Sequence, residues 1–221
     1  MSDERAARDA VIAAVRRLDA RGLNRGSTGN ASLRWRRAGR DGMLITPTGM
    51  GADDMQAEDL CWVDDDGTAH GPWQPSSEWH FHRAVYRVRA DAGAVLHTHA
   101  VHATALGCLG QGLPSFHYMV AVAGGDDVPL VPYHLFGTEA LSQAVGLALR
   151  DRWACLLAQH GLVSAGVDID QAMKVMCEVE HLCHTYLVAR ATGTPALLDR
   201  SQMAHVIERF KSYGSSRRRD G

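Results

Sequence analysis

Lysine is nearly absent from this sequence. Of the 23 basic residues, only Lys174 and Lys211 are lysines, and the other 21 are arginines. An enzyme that forms a Schiff base with its substrate needs a lysine amine, so only these two positions could supply one. The sequence also lacks the GxxxxGKS/T and GxGxxG motifs, which removes the main support for a nucleoside-triphosphate or dinucleotide site.

Features of membrane and secreted proteins are missing as well. No apolar run reaches the roughly 18 residues of a membrane-spanning helix, and the opening segment MSDERAARD is charged where a secretory signal would be apolar. The five cysteines, an odd number, include no CxxC pair, and we interpret them as reduced thiols. These observations predict a cytoplasmic protein.

The overall charge is close to balanced. A formal net charge of −2 and a pI near 6.6 provide no field that would attract nucleic acid or an anionic membrane, so we expect neither as a partner. Residues 215–221, SSRRRDG, are locally basic, and we interpret them as a flexible, solvated tail. The sequence leaves open whether this tail has a role.

Length and composition indicate one globular domain. The chain has 221 residues, of which 46% are hydrophobic and 22% charged, as is usual for a folded domain of full size. Predicted helices and strands interleave, which favours an α/β fold with a central sheet. The predicted helices cover 4–21, 75–88, 100–107, a segment beginning at Thr138, a long segment from Asp168 to about 192, and one around 203–210. The predicted strands cover 31–35, 42–47, 60–64, 94–99, 128–133 and two short runs hinged at Gly161 within 154–166.

Three histidines and a glutamate form a candidate metal site. His97 and His99 belong to the predicted strand AVLHTH, and residues i and i+2 of a strand point to the same face, so both imidazoles aim at one point. His160 ends another apolar strand, and Glu78 lies in the first turn of the second predicted helix. This donor set suits zinc or a similar divalent ion. With 12 histidines in the chain, a role as a surface or hydrogen-bonded core residue is the alternative for each.

Three loops of small residues are candidates for phosphate binding. They are GSTGN (26–30), TPTG (46–49) and PSS (75–77). Their backbone N–H groups and hydroxyls can hold a phosphate without any lysine, and the third loop sits at the N-terminus of a predicted helix. Each loop alone is a weak signal, because such clusters are mostly plain turns.

Longer blocks of the sequence resemble one enzyme family. They are GLNRGSTGNASLR, GMLITPTGM, PSSEWHFH, AVLHTHAVHATAL, SFHYMVAVAGG, PYHLFGTEAL, QHGLVSAG and RFKSYG, and they extend in order from about residue 22 to 214. The blocks closely resemble the class II, zinc-dependent aldolases of the L-fuculose-1-phosphate aldolase type, whose wider family includes ribulose-5-phosphate 4-epimerase and the adducin head. The resemblance implies a single class II aldolase domain over residues 1–214, with a central mixed β-sheet flanked by helices.

The resemblance also implies a role for each matched residue. His97, His99 and His160 correspond to the three zinc ligands. Glu78 corresponds to the glutamate that binds the resting zinc and then leaves it to act as acid and base. The residues that correspond to the phosphate site are Gly29, Asn30, Thr48, Gly49, Ser76 and Ser77.

Further implied features concern the rest of the substrate and the assembly. Tyr118 corresponds to a tyrosine that reaches in from the adjacent subunit to handle the hydroxyl proton at the cleaved bond. Phe136 and Tyr213 correspond to residues that position the aldehyde end. The family forms homotetramers of fourfold symmetry with sites between subunits, each binding one Zn²⁺ ion, for which Mn²⁺ or Co²⁺ can substitute.

The resemblance implies a reaction on a small sugar phosphate. A ketose 1-phosphate would be cleaved into dihydroxyacetone phosphate and an aldehyde. The substrate would be L-fuculose 1-phosphate, or a 5-deoxy or 5-methylthio pentulose 1-phosphate of nucleoside salvage. The sequence does not distinguish between these, because they share the phosphate end and differ only at the tail.

Other activities stay open at this point. Epimerases of the family carry a lysine in the block that here reads LITPTG, where Thr46 stands, and this favours an aldolase. A methylthioribulose-1-phosphate dehydratase, a decarboxylase, a zinc hydrolase and a non-catalytic adducin-like scaffold are the remaining alternatives. The scaffold would lack the ligand set that is intact here, and the HExxH motif of many zinc hydrolases is absent. His181 and His184 could bind a second metal with Cys177, but we interpret them as one face of a partly buried helix.

Overall fold

The computed structural model describes residues 2–212, and an eight-stranded sheet forms its centre. The strands, in chain order, are β1 (Asn30–Arg34), β2 (Gly42–Ile45), β3 (Cys61–Asp64), β4 (Ala69–His70), β5 (Ala94–Thr98), β6 (Leu130–Val131), β7 (Ala154–Leu157) and β8 (Gly161–Gly166). They lie side by side in the order β4-β3-β2-β1-β5-β8-β7-β6. All pairs are antiparallel except the parallel pair β6 and β7, so the sheet is mixed, as predicted.

Helices cover both faces of this sheet. They are α1 (Ser2–Ala20), α2 (Trp79–Val88), α3 (Val101–Cys108), α4 (Glu139–Ala148), α5 (Ile169–Thr192) and α6 (Arg200–Ser212). Side chains of a strand alternate between faces: Val95 of β5 packs in the core that α2 and α4 close, whereas Leu96 packs in the core that α1, α3 and α5 close. Within residues 2–212, no helix combines the length and apolar character needed to cross a bilayer.

The start of α2 differs from the prediction. The helix begins at Trp79 and not at residue 75, so Glu78 is its N-cap residue and does not lie in the first turn. The reason is a tertiary contact: Ser76 N donates to Thr46 O at 3.0 Å and Pro75 pairs with Pro47 in an isolated bridge. Pro75 and Ser76 are thereby held in an extended conformation, and the helix can begin only after them.

Other predicted elements agree with the structure to within a few residues. β6, flanked by prolines, lies at the sheet edge as expected, and Thr138 caps α4 through a hydrogen bond from Leu141 N. The two-residue strand β4 and the short 3-10 helices Ala57–Asp59 and Tyr118–Ala123 were not predicted. They are too short to produce a periodic pattern.

Candidate active site

Three histidines converge where β5 ends and β8 begins. His97 and His99 lie at the end of β5, and their ring centroids are 5.1 Å apart. His160 comes from the short turn between β7 and β8, with its ring 4.8 Å from His97 and 5.0 Å from His99. One possible ligand atom from each residue lies within 4.8 Å of the others. The structure thus brings together the three histidines that the sequence singled out as candidate metal ligands.

Gly161 permits this convergence. A Cβ atom at this position would lie 2.3 Å from the carbonyl oxygen of Thr98 and 3.1 and 3.2 Å from ring atoms of His97 and His99. Any side chain would therefore push β8 away from β5 at the point where the histidines meet. The glycine that follows His160 in the sequence allows the backbone to approach this closely.

Glu78 places its carboxylate against the imidazoles. Its Oε2 lies 3.2 Å from His97 Nε2, and its Oε1 lies 3.1 Å from His160 Nε2. Burial opposes ionisation of Glu78, but the electrostatic effects of His97 and His160 prevail and hold its pKa well below the usual range. Glu78 is therefore a carboxylate at neutral pH.

The electrostatics of this cluster fit a bound cation. His97 is fully buried, which lowers its pKa to about 4, and its Nδ1 lies 3.0 Å from the carbonyl oxygen of Leu162. The Nδ1 proton is donated to that carbonyl, so the Nε2 lone pair faces the Glu78 carboxylate. Both His97 Nε2 and Glu78 Oε1 are buried without a hydrogen-bond partner in the described part of the chain. Three imidazoles and one carboxylate are a ligand set suited to zinc and similar divalent ions.

The predicted phosphate loops meet at one cavity above this cluster. The cavity has a volume of about 410 Å³, and Glu78, His99 and His160 form part of its wall. The loop residues that line it are Ser27, Thr28, Gly29, Asn30, Pro47, Thr48, Gly49, Ser76 and Ser77. No described lysine or arginine lines it, so any phosphate bound here would be held by N–H groups and hydroxyls. The phosphate role of these residues stays a prediction.

Another part of the cavity wall contains larger side chains. Phe136 lies there, together with Tyr133, His134 and Gln159, and its role at the substrate tail stays a prediction. The last three lie in the blocks PYHLFGTEAL and QHGLVSAG, but no role in the site was predicted for them from the sequence. Gln159 has a positive φ of 51°, a conformation that favours glycine or asparagine, and it occupies the same turn as His160.

Of the two tyrosines of the predicted site, the structure describes only Tyr118, and it does not bring this residue to the cavity. Tyr118 begins a short 3-10 helix and is 51% exposed, and it is absent from the cavity wall. Tyr213 and the predicted tail 215–221 lie outside the described residues. The role of both tyrosines stays a prediction.

The second histidine group has a different arrangement. His181 and His184 are exposed on α5, and the ring of His184 stacks on His102 with centroids 4.1 Å apart. His102 in turn bonds to Glu180 at 2.8 Å. Among the described residues, the group of side chains close enough to hold a metal ion is His97, His99 and His160, and it does not include His181, His184 or Cys177.

His82, fully buried near Glu78, makes the stability of the protein sensitive to acid. Burial is the largest cause that lowers its pKa, from 6.5 to about 3. Below pH 6.5 the unfolded chain therefore binds more protons than the folded one, and the free energy of unfolding falls as the pH drops. We expect wild type to lose about 2 kcal/mol more than His82→Gln between pH 7 and pH 5. Urea denaturation at both pH values measures this, and equal losses in the two proteins would contradict it.

Comparison with known proteins matches nearly the whole chain. Residues 9–187 match the family model described as Class II Aldolase and Adducin N-terminal domain. A 5-methylthioribulose-1-phosphate/5-deoxyribulose-1-phosphate aldolase from Rhodospirillum rubrum is 44% identical over 211 residues, which cover 96% of this chain and 94% of the relative. An L-fuculose phosphate aldolase from Escherichia coli strain K12 is 44% identical over 194 residues, which cover 87% of this chain and 88% of the relative.

Solved structures show the same similarity. One named L-fuculose 1-phosphate aldolase has a TM-score of 0.88 at 34% identity, covering 93% of this chain and 96% of the other. A putative aldolase/epimerase/decarboxylase from Escherichia coli has a TM-score of 0.81 at 31% identity, covering 92% and 99%. The fold and almost the full length are shared with these proteins.

Proposed function

Because this chain belongs to the class II aldolase and adducin N-terminal domain family, we propose that it is a metal-dependent aldolase acting on a ketose 1-phosphate. The products are dihydroxyacetone phosphate and an aldehyde. The observation that carries the proposal is the convergence of three imidazoles and the Glu78 carboxylate beside a cavity lined by small-residue loops. A scaffold protein has no need for such a cluster.

The metal site consists of His97, His99 and His160, with Glu78 as a fourth ligand in the resting state. Zn²⁺ is the ion we propose, with one per subunit, and Mn²⁺ or Co²⁺ as substitutes. When bound, the ion supplies a Lewis acid that stabilises the negative charge developing beside the substrate carbonyl. The buried, neutral state of His97 leaves its Nε2 free to bind the ion without first losing a proton.

The chain's own groups handle the phosphate and the protons. Gly29, Thr48 and Ser77, with the neighbouring loop residues that line the cavity, hold the phosphate of the substrate. Glu78 is ionised and lies at the floor of the same cavity, so in the condensation direction it removes a proton from carbon 3 of dihydroxyacetone phosphate. General base catalysis of this kind contributes about 10²–10⁴-fold in rate.

A neighbouring subunit completes the site. Tyr118, exposed and away from the cavity of its own chain, takes the carbon-4 hydroxyl proton in the cavity of the adjacent subunit of a homotetramer. Phe136, which is 62% exposed at the cavity wall, and Tyr213 position the aldehyde end. In such an assembly, Tyr118 and Phe136, which are exposed in the single chain, would face a neighbouring subunit.

Two kinds of ketose 1-phosphate, which differ at the end away from the phosphate, are candidate substrates. L-fuculose 1-phosphate and the 5-deoxy or 5-methylthio pentulose 1-phosphates correspond to the names of the two relatives described above, which are equally identical to this chain. Purified protein should be assayed against a panel of these sugars with detection of dihydroxyacetone phosphate. Release from none of them, or conversion of a sugar phosphate into its epimer, would contradict the proposal.

We expect no covalent imine to form with dihydroxyacetone phosphate. Lys174 and Lys211 are both exposed, on α5 and α6, and neither lines the cavity. Borohydride in the presence of dihydroxyacetone phosphate should therefore leave the activity intact, while a Schiff-base aldolase treated in parallel is inactivated. Mass spectrometry checks for modification, and a reduced adduct on either lysine would overturn the metal mechanism.

A further inference from the structure

A chain of buried hydrogen bonds ends on the Glu78 carboxylate. Glu78 Oε2 accepts a hydrogen bond from Asn30 Nδ2 at 3.0 Å, and Asn30 Oδ1 lies 2.6 Å from His82 Nε2. On the far side of the ring, His82 Nδ1 lies 2.8 Å from Ser32 Oγ, which lies 2.8 Å from the hydroxyl of Tyr86. All five side chains are buried, with exposures between 0% and 7%. Three of them, Ser32, His82 and Tyr86, have no part in the reaction described above.

Only one arrangement of protons satisfies every hydrogen bond between Tyr86 and Glu78. Asn30 donates from Nδ2 to Glu78 Oε2, and its Oδ1 is therefore turned towards His82. That oxygen is also an acceptor, so His82 carries a proton on Nε2. When the ring is neutral, its Nδ1 must accept from the Ser32 hydroxyl, which in turn accepts from Tyr86.

Burial of His82 keeps the order of donors and acceptors fixed. A doubly protonated His82 would donate from both nitrogens and would reverse the bond to Ser32. Burial, with a further effect of His97, lowers the pKa of His82 to about 3, so the ring is neutral near pH 7. A neutral imidazole has one N–H. Each group therefore donates its hydrogen bond towards Glu78, beginning with the hydroxyl of Tyr86.

We propose that His82 is a positioning residue for Glu78: its Nε2 proton fixes the orientation of the Asn30 amide, which then holds one oxygen of the carboxylate. A reversed amide would bring Asn30 Oδ1 against Glu78 Oε2, leaving two buried acceptors without a proton between them. This inference rests on the proposed role of Glu78 as metal ligand and base. Asn30 also lines the cavity and belongs to the loop GSTGN. The same side chain therefore contacts Glu78 and lies in a candidate phosphate loop.

The proton position on His82 can be tested in the wild-type protein. NMR of protein labelled with ¹⁵N-histidine distinguishes the two neutral tautomers, and the His82 signals are assigned by their loss in His82→Gln. We expect the Nε2–H tautomer at pH 7. An Nδ1–H tautomer would overturn the inference, because Nε2 would then have no proton to give to Asn30.

Two matched amide variants test the consequence for Glu78. The side-chain amide of glutamine reaches the position of Nε2 and can donate to Asn30, whereas the shorter asparagine reaches only the position of Nδ1. Both remove the ring that stacks on Phe81 at 4.8 Å, so both lose the same packing. We expect His82→Asn to lower Co²⁺ affinity and the rate of carbon-3 proton exchange by about 10–100-fold, with KM unchanged, and His82→Gln to retain most of both.

Equal behaviour of the two variants would overturn the inference, as would a loss confined to KM. Circular dichroism and thermal melting check that both fold. If neither does, the tautomer of His82 in the wild-type protein decides, because an Nδ1–H ring has no proton to give to Asn30 Oδ1 across the 2.6 Å contact. A wild type that cleaves no ketose 1-phosphate contradicts the proposed function instead, since the tautomer and the Co²⁺ titration are measured without turnover.

Discussion

Replacing His97 by alanine should abolish metal binding and carbon–carbon cleavage together. His97 is the fully buried member of the cluster, and its Nε2 faces Glu78 across 3.2 Å with no hydrogen-bond partner among residues 2–212. Its loss removes one of the three imidazoles that we propose as metal ligands. A Lewis acid contributes several kcal/mol to such a reaction, so cleavage should fall by about 10³–10⁵-fold. Metal content by mass spectrometry and a dihydroxyacetone phosphate assay measure the two effects.

Controls separate the loss of metal from damage to the fold. His97 fills core space next to Phe81, with ring centroids 5.5 Å apart, so circular dichroism must accompany the assay. His99→Ala is a second variant whose side chain is exposed, and it should lose metal and activity without a loss of stability. His181→Ala, on the exposed side of α5, should retain both. Full cleavage activity in a chelator-stripped, metal-free wild type would disprove the metal mechanism.

The histidine cluster was predictable because its sequence signals are local. The spacing of His97 and His99 places both on one strand face, and His160 before Gly161 marks a turn after a strand. The structure adds what the spacing cannot contain, namely that β5 and β8 pair, with Thr98 opposite Leu162. Pairing between strands about 60 residues apart is a tertiary fact; the family resemblance implied only that His97, His99 and His160 act together.

The hydrogen-bond chain behind Glu78 shows what sequence reasoning missed and why. Asn30 and Ser32 are two residues apart on β1, and His82 and Tyr86 are four apart on α2, so each pair shares a face of its element. Both spacings are visible in the sequence, but the family resemblance implied a role only for Asn30, in phosphate binding. Only the packing of α2 over β1 brings the two pairs together. The late start of α2 also results from a tertiary contact. Helix periodicity in the sequence cannot predict the hydrogen bond between Ser76 and Thr46.

Glu78→Gln and Tyr118→Phe should fail at different steps of the reaction. Glu78→Gln removes the base at the cavity floor, so exchange of the carbon-3 proton of dihydroxyacetone phosphate should nearly cease. Tyr118→Phe removes only the hydroxyl proposed to serve carbon 4. It should leave that exchange largely intact while slowing cleavage by about 10²–10⁴-fold. Proton exchange followed by NMR and cleavage followed by product assay distinguish the two, with Tyr186→Phe, a tyrosine that packs against Phe116, as the control.

Mixing the two inactive variants tests whether one site draws on two subunits. Tyr118 is 51% exposed and absent from the cavity wall of its own chain, so a neighbouring chain must provide it if it acts. In the proposed homotetramer, mixed assemblies then contain some interfaces at which an intact Glu78 meets an intact Tyr118, and part of the cleavage activity should return. Two affinity tags purify the mixed species and prove that subunits have exchanged. Mixed tetramers without activity would show that the site is not shared, and equal loss of exchange and cleavage in Tyr118→Phe would show that the hydroxyl does not serve carbon 4.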